Sequence, residues 1–298
     1  MSGACVVFSN ATPIEKEVFM SVVVITGCSS GFGMLSAVEF ARRGDSVFAT
    51  MRDSAKSGPL KAATEAAQTS VEVLELDVND RGSVDAAITE VIENSGRIDV
   101  LVNNAGIGIS GPVEDFDDDE VAAIFDTNVF GVLRVTRATV PHMRSQASGT
   151  IINIGSIAGK VTAPFGGIYS ASKHAVEALS DALYYELHPF GVRVVLIEPG
   201  GFETEIQNNV RPARRFTEGS AYLEFESRFA KASEKLPGAG QSADAQIVAN
   251  VIVDAAKAEE PKRRYLVGQD AELIGGMVKQ LNDEDFEKAM RTTLDFWD

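Results

Sequence analysis

Cysteine is scarce: the 298 residues carry two, Cys5 and Cys28, too few for a disulfide framework and suited to a reducing cytoplasm. Positive charge is also in deficit. Against 43 acidic residues stand 27 basic ones, a net charge of −16, which argues against binding the phosphate backbone of a nucleic acid. No apolar run reaches the ~20 residues of a membrane-spanning helix. Residues 1–19 lack the basic start and long apolar stretch of a signal peptide, and are read as a poorly ordered N-terminal extension. The three histidines, His142, His174 and His188, fall inside or at the ends of helical patterns and are assigned no chemistry. A Pro/Gly/Ser-rich linker is missing too, so 20–298 is read as a single domain, with hydrophobic residues (45%) ample for a large core.

What is present is a steady alternation of strand and helix. Short apolar runs at 22–26, 46–50, 71–76, 98–102, 150–154, 192–197 and 264–267 read as strands. Helical periodicity appears near 31–43, 54–68, 80–94, 118–145, 169–188 and 242–257. This predicts an α/β fold, a doubly wound parallel sheet of about seven strands in three layers. Between about 202 and 240 the rhythm breaks into polar residues with scattered phenylalanines. Ligands of such sheets bind beyond the carboxyl ends of the strands, so this insertion is expected to be a substrate lid.

Tyr169 and Lys173 stand four residues apart in a helical pattern, on one face and one turn apart. A phenol titrates near ~10, and an adjacent ammonium favours its ionised form. Ser156 follows the buried strand 150–154, where its hydroxyl could hold a substrate oxygen while the tyrosine moves a proton. The combination points to carbonyl–alcohol chemistry. Near the start, Gly27-Cys-Ser29-Ser30-Gly31-Phe32-Gly33 joins a strand to a helix. Glycines there let the backbone approach a pyrophosphate at the helix N-terminus. The same residues satisfy G-x-S-x-G, the turn of a hydrolase nucleophile. Only 26 residues precede it, too few for the earlier strands such an enzyme needs, and the hydrolase is rejected.

Together these motifs resemble the short-chain dehydrogenase/reductase family in its single-domain branch, over roughly Val22 to Thr204. The family's glycine motif matches Thr26 to Gly33, and its N-N-A-G matches Asn103 to Gly106. Its helix asparagine falls at Asn128, its serine at Ser156, its Y-x-x-x-K at Tyr169 and Lys173, and its P-G-x-x-x-T at Pro199, Gly200 and Thr204. The resemblance implies a Rossmann-type fold and a nicotinamide cofactor. It makes Asn128, Ser156, Tyr169 and Lys173 the catalytic set, with Asn128 holding a water that leads to Lys173. It further implies that Gly27, Ser29, Ser30, Gly31, Phe32, Gly33, Asp77, Val78, Asn104, Ala105, Gly106, Tyr169, Lys173, Pro199, Gly200 and Thr204 bind the cofactor, and that the chain forms a homodimer or homotetramer. Asn103 is read as a tie between strands.

Cofactor choice turns on the residues after the second strand. No acid stands at the strand end, Met51, and Arg52 follows, able to fork onto a 2′-phosphate. NADP(H) is therefore expected over NAD, with Asp53 capping the next helix. The acids Asp117 to Glu120 open a helix and are given no metal. The basic stretches Arg211 to Arg215 and Lys262 to Arg264 are read as solvated. The expected activity is NADP(H)-dependent interconversion of a carbonyl and a secondary alcohol on a bulky apolar substrate. The similarity extends to the 17-beta-hydroxysteroid and retinol dehydrogenase branch, without committing to a steroid. The rival readings are a non-catalytic NADP(H)-sensing regulator and an extended-branch epimerase. Both Tyr169 and Lys173 are present, against the first, and too little chain follows Pro199 for the second.

Overall fold

A computed structural model describes residues 20–202, 210–235 and 244–295. The elements in order are β1 (Val22–Ile25), α1 (Gly31–Arg42), β2 (Ser46–Met51), α2 (Gly58–Ala66), β3 (Glu72–Glu75), α3 (Arg81–Ser95) and β4 (Val100–Asn103). Then come β5 (Ile109–Ser110), α4 (Asp118–Phe125), α5 (Val132–Gln146), β6 (Gly149–Ile154), α6 (Gly167–Leu187), β7 (Val192–Pro199) and β8 (Arg211–Pro212). The chain continues through α7 (Leu223–Ser233), α8 (Gln246–Lys257), β9 (Arg264–Val267), α9 (Gln269–Gln280) and α10 (Asp283–Leu294).

Seven strands form one parallel sheet in the order β3-β2-β1-β4-β6-β7-β9. Strand β1 is all valine and isoleucine because both its faces are covered. Val23 and Ile25 join a core with Phe40, Val248 and Ile252 from α1 and α8. Val22 and Val24 join the opposite core with Val84, Ile88 and Val135 from α3 and α5. Burying side chains of this size contributes roughly 1.5–3 kcal/mol each. The winding reverses between β1 and β4, which opens a cleft at their carboxyl ends.

Two departures from the sequence reading matter. The helix expected at 118–145 is interrupted by a π-helical stretch, Asp126–Gly131, containing Asn128. Its wider turn re-aims the asparagine. Helices α7, α9 and α10 were not anticipated. Among them, α7 and α10 cover each other through Phe225, Phe229, Ala232, Met290 and Leu294, so their apolar stripes make sense only as a pair.

The basic stretches stay largely in solvent, as expected, but most of their arginines also pair with acids. Arg211 lies 3.2 Å from Glu120, Arg215 lies 3.2 Å from Asp117, and Arg214 pairs with Asp119. Arg263 and Arg264 both reach Asp181, at 2.7 and 2.6 Å. Acids far away in the chain neutralise each group, a pairing invisible to local pattern. Asp117 and Glu120 also form a capping box at the start of α4. Among the described residues no helix is long and apolar enough to cross a membrane.

Candidate active site

The glycine turn is shaped by close backbone approach. Gly27 has φ of +73°, and a Cβ on it would lie 2.9 Å from the Ala105 Cα. A Cβ on Gly33 would lie 2.6 Å from the Gly27 carbonyl oxygen and overlap the Asn104 side chain. Asn104 donates through Nδ2 to the carbonyls of Thr26 and Gly27, at 2.8 and 3.1 Å. Thr26 Oγ1 in turn accepts the backbone N–H groups of Asn104 and Ala105, both at 3.0 Å. Asn103, one residue earlier, donates to Asn153 and Thr136, tying β4 to β6 and α5.

Beyond this turn lies a cleft of about 460 Å³, walled by Gly27, Ser29, Ser30, Gly31 and Phe32 on one side and by Arg52, Val78 and Ala105 on the others. Ser30 is the extended N-cap of α1 and makes no side-chain cap of its own. The first turn of α1 carries no acid, so its positive end faces the cleft uncompensated. Met51 ends β2 in the core, Arg52 is exposed, and Asp53 accepts from the Ala55 N–H at 3.0 Å as the cap of the next turn. Lys56, which the sequence reading passed over, shares the wall with Arg52. Asp77 accepts the Asn79 N–H at 2.9 Å in an Asx turn, while Val78 and Asn79 face the cleft. Glycine-only approaches, free hydroxyls and two cations suit this cleft to a phosphate-bearing dinucleotide.

A second cavity of about 270 Å³ continues from the first past Asn104 and Gly106. Ser156, Tyr169, Lys173, Pro199 and Gly200 converge on it. Ser156 stands in extended conformation just after β6, where its Oγ accepts the Ala158 N–H at 3.1 Å. Burial pushes the Tyr169 phenol up, and a hydrogen bond with Ser156 partly offsets this. Lys173 Nζ lies 5.7 Å from the Tyr169 ring centre and donates to the Ile154 carbonyl at 2.8 Å. Burial lowers its pKa to about 8. Near neutral pH the tyrosine therefore carries its proton.

Asn128 is buried, with its Nδ2 donating to the Ile107 carbonyl and to Ser172 Oγ, and its Oδ1 accepting the Ile107 N–H at 2.9 Å. It thus joins the loop after β4 to the first turns of α6. Its amide donors are committed there rather than to Lys173. Gly200 closes β7, and any Cβ on it would overlap the Asp270 carboxylate, which accepts the Gly201 N–H at 2.6 Å. Asp270 escaped the sequence reading, since nothing local marks an acid at the start of α9 as a partner of β7. Thr204 lies outside the described residues, as do parts of the expected lid and the 1–19 extension.

Apolar side chains dominate the rest of this cavity: Phe32, Ile107, Ile109, Phe165, Phe202 and Val210. Phe165 has φ of +63°, uncommon for a bulky residue. It is held there by the Gly111 N–H on its carbonyl at 2.8 Å and by ring contacts with Phe216, Phe225 and Phe229, at 6.0, 5.6 and 6.1 Å. The insertion is anchored on this side by β8, which pairs with β5.

A parallel sheet whose glycine turn and Ser–Tyr–Lys group share one cleft defines a dinucleotide-dependent oxidoreductase. The chain belongs to the short chain dehydrogenase family, whose model matches residues 21–215. It is 38% identical over 255 residues to human 17-beta-hydroxysteroid dehydrogenase type 1, covering 82% of this chain and 76% of the relative. A short chain dehydrogenase/reductase from Burkholderia phymatum, solved with NAD, superposes with TM-score 0.74 at 30% identity, covering 91% of this chain and 95% of that one. A metagenomic short-chain oxidoreductase solved with NADP gives TM-score 0.65 at 28% identity, covering 83% and 96%. Relatives of this fold therefore take either nicotinamide cofactor.

Proposed function

We propose that this oxidoreductase uses NADP(H) to interconvert a bulky apolar ketone and its secondary alcohol. The observation that carries the reading is the convergence of Ser156, Tyr169 and Lys173 on a largely apolar cavity continuous with the glycine cleft. The steroid-acting human relative supports a bulky apolar substrate.

The glycine turn, Ser29, Ser30, Gly31 and Phe32 would hold the pyrophosphate and its ribose. Arg52 and Lys56 would meet a 2′-phosphate, and Val78, Asn104, Ala105 and Gly106 would wall the adenosine half. Pro199 and Gly200, braced by Asp270, would flank the nicotinamide. When bound, the cofactor supplies the hydride. Ser156 holds and polarises the substrate oxygen. Tyr169, protonated near neutral pH, donates its proton to the oxygen as charge develops there. Lys173 stabilises the resulting phenolate and helps return the proton to it. Asn128 keeps the loop after β4 against α6, so the acid and the cleft stay in register. The insertion at 202–240 is read as the lid over the apolar cavity, within one catalytic domain.

Steady-state oxidation of NADPH and, in parallel, NADH over a panel of cyclic and long-chain ketones tests this. NADPH-preferring turnover is the expected result. Tight NADPH binding with no turnover of any ketone would replace the enzyme with a cofactor sensor.

A further inference from the structure

Behind the site sits an acidic cluster that the reaction does not use. Glu177 lies one turn beyond Lys173 on α6, and Glu198 immediately precedes Pro199 on β7. Glu198 is 1% exposed and Glu177 is 7% exposed, so each charge needs a partner. Lys160, on the turn after β6, lies 2.5 Å from Glu177 Oε2 and 3.3 Å from Glu198 Oε1. Arg264, on β9, lies 3.1 Å from Glu177 Oε2 and also binds Asp181, which Arg263 shares.

The cations thus crowd one oxygen of Glu177. The Oε1 atoms of Glu177 and Glu198 are both buried without a hydrogen-bond partner, and the two carboxyls flank one ammonium, Lys160, whose Nζ stands 3.3 Å from Glu198 Oε1 as an ion pair. The remaining charged neighbours do not supply that partner. Lys173 Nζ donates its hydrogen bond to the Ile154 carbonyl, and Asp270 is itself an acceptor, of the Gly201 N–H. One proton shared by the two carboxyls lowers the charge that this buried cluster must carry. Burial, and then Glu177, push Glu198 up to about 7, with Lys160 opposing. The turn carrying Lys160 packs directly on α6 at Glu177, since a Cβ on Gly159 would lie 3.1 Å from Glu177 Cγ and 3.1 Å from the Lys173 carbonyl.

We propose that Glu177 and Glu198 hold a single proton between them and act as a positioning pair, seating α6 on the end of β7 so that Lys173 and Pro199-Gly200 keep their relative placement. Losing the proton to solvent leaves two buried carboxylates facing each other, and the helix and strand end are driven apart. The activity arm of the test rests on the proposed reaction; the other two arms do not.

Infrared spectra of the whole protein titrated from pH 5 to 9 should show a protonated carboxyl band that fades near pH 7 and is absent from Glu198→Gln. The amide of Glu198→Gln keeps a donor toward Glu177, so its thermal midpoint should stay level where that of the parent falls with rising pH. In the parent, KM for NADPH should rise by roughly threefold from pH 6 to 8, whereas in Glu198→Gln it stays flat. Should Glu198→Gln fail to fold, Glu177→Gln carries the same three readouts, and the parent's infrared band needs no variant. A parent with no such band, or a Glu→Gln protein whose midpoint tracks pH as the parent's does, overturns the proposal. Flat infrared and thermal titrations in the variant without any ketone turnover would instead indict the proposed reaction alone.

Discussion

Thr26 and Asn104 hold each other across 78 residues of sequence: the Asn104 N–H donates to Thr26 Oγ1 at 3.0 Å, and Asn104 Nδ2 donates to the Thr26 carbonyl at 2.8 Å. The glycine turn after β1 and the loop after β4 are therefore one rigid unit at the point where the sheet reverses. Asn104→Ala should weaken NADPH binding about tenfold, or ~1.4 kcal/mol, by freeing both loops. Fluorescence titration checks this, and an unchanged Kd would show that the loops hold their shape without the tie.

Tyr169→Phe keeps the ring and removes the proton. Turnover should fall by at least ~100-fold while NADPH affinity stays within a few-fold. Paired kinetics and cofactor titration check it; normal turnover would take the acid role away from Tyr169.

Arg52 and Lys56 share one wall of the cleft. Arg52→Glu should move preference from NADPH toward NADH, and Lys56→Ala should raise KM for NADPH with little effect on NADH. The ratio of kcat/KM for the two cofactors is the measurement. A constant ratio in both variants would leave the 2′-phosphate unread by this wall.

Lys173 carries an explicit pH sign. Burial lowers its folded-state pKa to about 8 from 10.5. Below about 8 both folded and unfolded chains bind the proton, and the burial cost is present in full. From about 8 to 10.5 the unfolded chain binds more protons, so this residue's contribution to stability improves as pH rises. Reductase activity should run the other way, declining above about pH 8 as the ammonium is lost. Comparing thermal midpoints of the parent and Lys173→Met across this range isolates the first effect, and the pH dependence of kcat reads the second.

Glu120 is buried at the start of α4, where it accepts the Arg214 N–H and pairs with Arg211 at 3.2 Å. Glu120→Gln should loosen the anchor of the insertion. KM for the ketone should rise several-fold and lose its dependence on salt, with NADPH binding unaffected. Equal salt dependence in parent and variant would remove the latch.

Strand–helix alternation, the family's motifs in order and the chemistry-bearing residues at strand ends were all legible without coordinates. Each is a matter of near neighbours: periodicity of two or 3.6, glycine where a turn needs it, an acid capping the next turn as Asp53 does. Other features needed the folded chain. The π-helical turn that aims Asn128, the Asp270 brace 69 residues from Gly201, the arginines of β8 on the acids of α4, and the buried Glu177–Glu198 pair join positions that no local pattern connects. Sheet order brings those charges together, and burial then decides what they cost and which of them must share a proton.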